Sequence, residues 1–255
     1  MTTKPSRRES CSVSARKKFQ KTAPHANPRT LATEHLTAII AAAGSSSRMG
    51  FDKMFADLGG RPVIVHTIAA FENFQAVDDI IVVANPERVT DVTAAIEQAG
   101  FIKVTNVVKG GATRRDSVAS ALDHVSDNCD FVSVHDGARP WITPAQIERV
   151  LNCAAKHGAA ASAHPITDTL KRADRDGQVE DSVEREGMWA METPQIFRTG
   201  LLKEAFAKVL AENLQVSDEV SAVQQLGQPV QLVQNSTLNP KVTFPADLKL
   251  PPPTR

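Results

Sequence analysis

Two cations, Arg48 and Lys53, stand in a loop of small residues at positions 44–53, GSSSRMGFDK. The run before it, 38–42, is apolar and has the length of a buried strand. A strand that empties into such a loop brings backbone N–H groups close to phosphate. Fixed cations there would stabilise the charge that spreads over equatorial oxygens during phosphoryl or nucleotidyl transfer. The loop is not a Walker A sequence, because no Gly-Lys-Ser/Thr follows at the required spacing. It is not the dinucleotide fingerprint either, since Ser46 and Met49 stand where further glycines are needed. A loop that adds side-chain charge to backbone donors suits a triphosphate under attack better than a cofactor that is merely held.

A second group of candidates follows the apolar run 131–135. Asp136 stands at its end, ahead of Arg139. A strand-end carboxylate beside a phosphate pocket is the normal way to hold Mg²⁺, which takes one or two carboxylates and keeps most of its waters. The bland alternative is an Asp that caps a turn. Arg139 would grip a phosphate bidentately, or pair with a surface acid. Residues 111–117 read as a tight loop opening a helix, with Thr113 as its cap. Ser117 is then either a base-reading hydroxyl or part of that helix start. His135 reads as a half-buried strand residue rather than a catalytic base.

The elements that must position these residues alternate. Strands are expected at 38–42, 79–84, 104–108, 131–135 and 159–163. Helices are expected from Pro62 through Phe74, from Pro86 to Ala99, over 114–124 and over 144–157. This order predicts a Rossmann-like α/β fold, a mostly parallel sheet with helices on both faces. Ligands in such sheets bind outside the carboxyl ends of the strands, where the loops 44–53, 110–117 and 136–140 all fall.

Residues 165–186 break the alternation. Short extended pieces at 169–172 and 179–183, separated by Asp174-Arg-Asp-Gly177, predict a protruding two-stranded arm. So small and polar a hairpin is marginal alone, and a second copy of the chain is the simplest surface for it to pack on. Beyond it the chain returns through Trp189 and Thr193-Pro194 to a helix near 201–210. Ser217-Asp218-Glu219 looks like a helix N-cap with acids in the first turn. Short strands are expected at 230–233 and 241–243, before a Pro-rich tail at 251–255.

The chain has 255 residues with 29 basic and 29 acidic side chains. A formal net charge of zero argues against bulk nucleic-acid binding while leaving room for a local cationic pocket. No apolar run approaches the roughly 18 residues that span a bilayer. Cys11, Cys129 and Cys153 are far apart and lack metal-ligand spacing, as in a reduced cytoplasmic protein. Residues 1–34 are basic and rich in Ser, Thr and Pro, and are expected to be disordered. That leader is either a non-functional extension, giving a cytoplasmic protein, or a transit peptide, giving a plastid one. The folded domain is expected over 35–250.

Taken together, these residues resemble the 2-C-methyl-D-erythritol 4-phosphate cytidylyltransferases of the non-mevalonate isoprenoid pathway. The resemblance covers residues 37–248 and rests on AAAGSSSRMGFDK, GGATRRDSV, SVHDGARP, TDTLKR, TPQIF, SDEVSA and NPKVT, in the family's order. It implies transfer of a cytidylyl group from CTP to methylerythritol 4-phosphate, with release of pyrophosphate and no covalent enzyme intermediate. Arg48 and Lys53 would be the transition-state stabilisers. Ala42, Ala43 and Gly44, with Gly111, Ala112 and Ser117, would hold the nucleotide and read cytosine. Asp136 would meet Mg²⁺ and the substrate's hydroxyls, while Arg139, Ser217 and Lys241 would bind the sugar phosphate. Thr169 and Arg185 would cross on the arm to the partner of a homodimer.

The sequence departs from the family pattern in places. Ser45–Ser47 replace a glycine and a second cation, and Asp52-Lys53-Met54 replaces Pro-Lys-Gln, setting a carboxylate beside Lys53. Ala112 stands where many members have Asp, and Ser217 keeps the hydroxyl of a common Thr. The nearest rival readings are a ribitol-5-phosphate cytidylyltransferase and a nucleotide-binding homologue without catalysis. A guanylyl-type transferase fits GGATRRDSV poorly, and an NAD-dependent oxidoreductase fails on the first loop.

Overall fold

The structure, a computed structural model, describes residues 34–44, 50–235, 237 and 239–253. The leader up to residue 33, the Ser45–Ser47 run and Arg48 lie outside the described residues.

Seven strands form one sheet in the order β3-β2-β1-β4-β8-β5-β9. They are β1 (Leu36–Ala42), β2 (Asp79–Ala84), β3 (Val104–Lys109), β4 (Phe131–Asp136), β5 (Ala159–Pro165), β8 (Trp189–Arg198) and β9 (Gln231–Gln234). β1 pairs in parallel with both β2 and β4, β2 with β3, and β5 with β9. β8 runs antiparallel between β4 and β5. The sheet is therefore mostly parallel, as expected.

Alternation along the strands divides the core in two. Ala38, Ile40 and Ala42 face a cluster that also takes Ile64 and Ile68 of α1 (Val63–Glu72), Val92 and Ile96 of α2 (Val89–Ala99), and Ile147 and Val150 of α4 (Pro144–His157). Ile39 faces the other cluster, with Val118 and Leu122 of α3 (Arg114–Leu122), Leu202 and Phe206 of α5 (Thr199–Ala211), and Val223 of α6 (Glu219–Gln224). Period-two strands sandwiched between amphipathic helices give buried apolar side chains on both faces. Capping boxes at Thr113 and Thr143 start α3 and α4, each satisfying backbone donors at a helix end.

Several local expectations need correction. The stretch through Trp189 and Thr193-Pro194, to which the sequence assigns no strand, is β8, ten residues long and central in the sheet, and it leads into the expected helix as α5. Proline is rare in central strands, and that punctuation hid it. The helix expected from Pro86 begins as a 3₁₀ turn at Pro86–Arg88 before α2. Asp218 rather than Ser217 caps α6. Residues 241–243 are not a strand, and Val242 N–H instead donates to Ala138 O at 2.7 Å, holding this segment over the exit of β4. At the tail, Trp141 Nε1 donates to Pro251 O at 2.7 Å.

The arm forms a separate two-stranded sheet of β6 (Leu170–Ala173) and β7 (Val179–Val183). Its side chains are mostly exposed. Its foot lies at the Ile166 N–H to Met188 O bond, because residue 165 still belongs to β5.

Candidate active site

The exits of β1, β3 and β4 close on one another. A Cβ on Gly110, just past β3, would lie 2.3 Å from the Cβ of Ala43, just past β1. One on Gly137, past β4, would lie 3.1 Å from the Cβ of Ala42 and from Ile64 Cδ1. Glycine is required at position 110, and position 137 is tight, because neighbouring elements share the space. Ser117 tightens the third side, accepting from Gly111 N–H at 3.1 Å and donating to Thr113 O at 2.8 Å. The result is a cleft of about 340 Å³ lined by Ala43, Gly44, Lys53, Gly111, Ala112, Ser117, Arg114, Asp136 and Lys241, among others.

Asp136 is the last residue of β4 and lines the cleft. Lys241 Nζ lies 2.8 Å from its Oδ2, Arg139 Nε 3.6 Å from the same oxygen, and Arg114 NH2 3.5 Å from Oδ1. Burial works to raise its pKa, but Lys241 and Arg114 outweigh it, and the carboxyl is held well below the ordinary carboxylate range. Arg114 is itself gripped by Glu219 through contacts of 2.6 and 2.9 Å. Burial pushes the Glu219 carboxyl up, while Arg114 opposes the shift. The Arg114 guanidinium stays charged, since burial is outweighed by Glu219 and Asp136.

Behind this cluster, His135 is fully buried rather than half-buried. Its Nδ1 lies 3.0 Å from Thr193 Oγ1, and its Nε2 lies 3.2 Å from Arg139 O. Thr193 Oγ1 also accepts from Asp136 N–H at 3.0 Å. Arg139 NH1 donates to Asn239 O at 2.8 Å, and Asn239 Nδ2 donates to Thr193 O at 2.9 Å. The backbone on either side of Asp136 and Arg139 is thus fixed by β8 and by the segment before Lys241. Arg139 Nε is buried and makes no hydrogen bond beyond its 3.6 Å ion-pair contact with Asp136, and Arg139 lines a second cleft of about 290 Å³ together with Ser217.

The family described as IspD, 2-C-methyl-D-erythritol 4-phosphate cytidylyltransferase, matches residues 36–251. The chain belongs to this family. It is 40% identical over 216 residues to the family enzyme of Salinibacter ruber, covering 84% of this chain and 90% of that one. It is 37% identical over 216 residues to that of Dehalococcoides mccartyi, covering 84% and 93%. The crystal structure of the Thermus thermophilus cytidylyltransferase superposes with a TM-score of 0.67 at 33% identity, over 82% of this chain and 94% of that one. A 4-diphosphocytidyl-2C-methyl-D-erythritol synthase from Anaerococcus prevotii superposes with a TM-score of 0.73 at 26% identity, over 86% and 94%.

As a cytidylyltransferase-family chain, it brings most of the expected site residues together. Ala43, Gly44, Gly111, Ala112, Ser117, Lys53, Asp136 and Lys241 line one cleft, and Arg139 and Ser217 line the adjoining one with Asp136 and Lys241. Ala42 is placed differently, lining a separate groove with Asp52, Asn85 and Arg88. Thr169 and Arg185 lie on the arm and line neither cleft. Arg48 lies outside the described residues.

Arg114, Glu219, Thr193 and Asn239 were missed. GGATRRDSV and SDEVSA drew notice in the sequence, yet nothing local says that Arg114 meets Glu219 across 105 positions.

A divalent cation fits this donor set. Asp136 is the only carboxylate lining the larger cleft among the described residues, and its Oδ1 carries just the long 3.5 Å contact from Arg114. Among the described residues no three His, Cys, Asp or Glu cluster into an all-protein cage. Mg²⁺ takes only one or two carboxylates beside substrate phosphates, and Asp136 is the residue of this cleft that would supply one.

Proposed function

We propose that this protein transfers a cytidylyl group from CTP to 2-C-methyl-D-erythritol 4-phosphate, releasing pyrophosphate. The observation that carries the reading is the convergence of Lys53, Arg114, Asp136 and Lys241 on one cleft at the carboxyl ends of β1, β3 and β4, in a chain whose family is established. A phosphate oxygen of the sugar phosphate attacks the α-phosphorus of CTP in line. The new phosphorus–oxygen bond forms as the bond to the β-phosphate oxygen breaks, and the electron pair leaves with pyrophosphate. The chain's task is placement and charge.

Backbone at 43–44 and 111–112 lies beside the nucleotide, and Ser117 keeps one acceptor lone pair beyond its two loop bonds. Lys53 meets the charge that develops on the α-phosphate, with Arg48 as the second cation of this reading. Bound Mg²⁺ would neutralise part of the triphosphate charge beside Asp136. Arg139 and Lys241, which both line the second cleft, receive the sugar phosphate. Thr169 and Arg185 reach the site of a partner copy through the arm, so the working unit is a homodimer with composite sites.

The test is pyrophosphate release with CTP and Mg²⁺, run in parallel with methylerythritol 4-phosphate and ribitol 5-phosphate. Release with the first alone is expected, lost by on the order of 10²–10³ in Lys53→Ala. Release with the second alone would move the protein to ribitol chemistry. Silence with both, while CTP still binds, would leave a binding protein.

A further inference from the structure

The departure beside Lys53 has a structural counterpart. Lys53 lines the larger cleft, whereas its neighbour Asp52 lines a separate outer groove with Phe55, Asn85, Glu87 and Arg88. There Arg88 Nε lies 3.1 Å from Asp52 Oδ2. Its N–H is not aimed for a hydrogen bond, so the contact is electrostatic. The other oxygen, Asp52 Oδ1, accepts from Met54 N–H at 3.0 Å, spanning Lys53. The guanidinium carbon of Arg88 sits 4.4 Å from the centre of the Phe55 ring, a cation–π distance. Arg88 is anchored in turn, with NH1 3.0 Å from Asp91 Oδ2 and its 3₁₀ turn capped by Asn85.

We propose that Arg88 is a positioning residue for Lys53: it draws the Asp52 carboxylate into the outer groove, away from the cleft that Lys53 lines. A carboxylate released from that groove would oppose the field that Lys53 presents to phosphate. Arg88 and Asp52 are 39% and 35% exposed, so their pair is screened and contributes little to folding. Its effect belongs in turnover. This inference rests on the transfer reaction proposed above.

The experiment compares the full chain with Arg88→Met, Arg88→Lys, Asp52→Asn and the Asp52→Asn/Arg88→Met pair, in pyrophosphate release and in thermal unfolding. Arg88→Met is expected to lower kcat about tenfold, leaving the KM for CTP and the Tm nearly unchanged. The paired variant should recover most of that loss, because no unpartnered carboxylate remains, and Arg88→Lys should fall between. An unchanged kcat in Arg88→Met would overturn the inference. So would a loss that the paired variant fails to recover, the mark of a merely structural role.

A second readout needs no turnover: acylation of Lys53 by an amine reagent, followed by peptide mass spectrometry. It should slow about threefold in Arg88→Met, since a nearby carboxylate favours the charged amine, and equal rates would again overturn the inference. Wild type silent in every transfer assay would instead sink the transfer reaction, with the acylation comparison still deciding the role of Arg88.

Discussion

The end of β4 and the β6–β7 arm both carry charged residues assigned to the substrate, but they are built in opposite ways. At the end of β4, Lys241 and Glu219 each reach their partners across 105 positions, and Arg139 meets Asn239 across 100. Those side chains are fixed by the sheet and by part-buried hydrogen bonds. In the arm, Lys171 bonds Ser182 across 11 positions, Arg185 bonds Thr167 across 18, and the strands are largely exposed. One chain suffices to organise the first region. The second is held, among the described residues, by the hydrogen bonds of its own hairpin and foot. Low burial and local contacts place it at the low-stability end of the fold.

The largest expected effect lies in the buried region. Asp136→Asn keeps the shape but strands Lys241, Arg114 and Arg139 around a neutral amide, and removes the proposed metal ligand. A fall in kcat/KM on the order of 10²–10³ is expected, read by pyrophosphate release. An effect below tenfold would mean that this preorganised cluster is structural and that the contrast with the arm has no catalytic meaning.

The arm is tested by mixing. Lys53→Ala and Arg185→Ala are each expected to be poorly active alone. If sites are composite, exchanging subunits of the two variants yields heterodimers with one intact site, and about a quarter of wild-type activity should return. A mixture no better than the average of its parents would place Arg185 in its own chain's site or in none.

How far the sequence could be read follows the same division. Loops whose chemistry is local were legible, since the strand-to-loop junctions at 42–44, 109–111 and 136–139 announce themselves by apolar runs ending in small or charged residues. Thr113 as a cap was legible for the same reason, and so was the arm's turn at Asp174–Gly177, where Gly177 takes φ +82°. The long-range pairings were not. No periodicity in SDEVSA shows that Glu219 will lie buried under Arg114, and the Thr-Pro in β8 reads as a break although the strand continues through it. Asp52 shows the same limit, because its sequence neighbour Lys53 suggested a harmful contact and the fold instead pairs it with Arg88.

The smallest effect sharpens the contrast through pH. The Arg139 carbonyl can only accept, so the proton of neutral His135 sits on Nε2, and Nδ1 accepts from the Thr193 hydroxyl, which takes the Asp136 N–H in turn. Burial pushes the ring pKa down to about 3 against the Arg139 carbonyl and Asp136, with the charges of Arg139 and Lys241 adding to the fall. An unfolded chain would take that proton near pH 6.5. Between those values the unfolded state binds more protons than the folded one, so stability falls as pH drops through the window, by at most about 1.4 kcal/mol per pH unit. His135→Gln removes the liability. Its stability deficit against wild type, measured by urea unfolding at pH 7, 5.5 and 4.5, should therefore shrink as the pH falls. Arg185→Ala, altering an exposed arm, should show a difference that does not change with His135 titration. A deficit for His135→Gln that stays flat over the window would mean that the ring is already charged in the folded protein. The donor chain from Asp136 through Thr193 to Arg139 would then have to run in another direction.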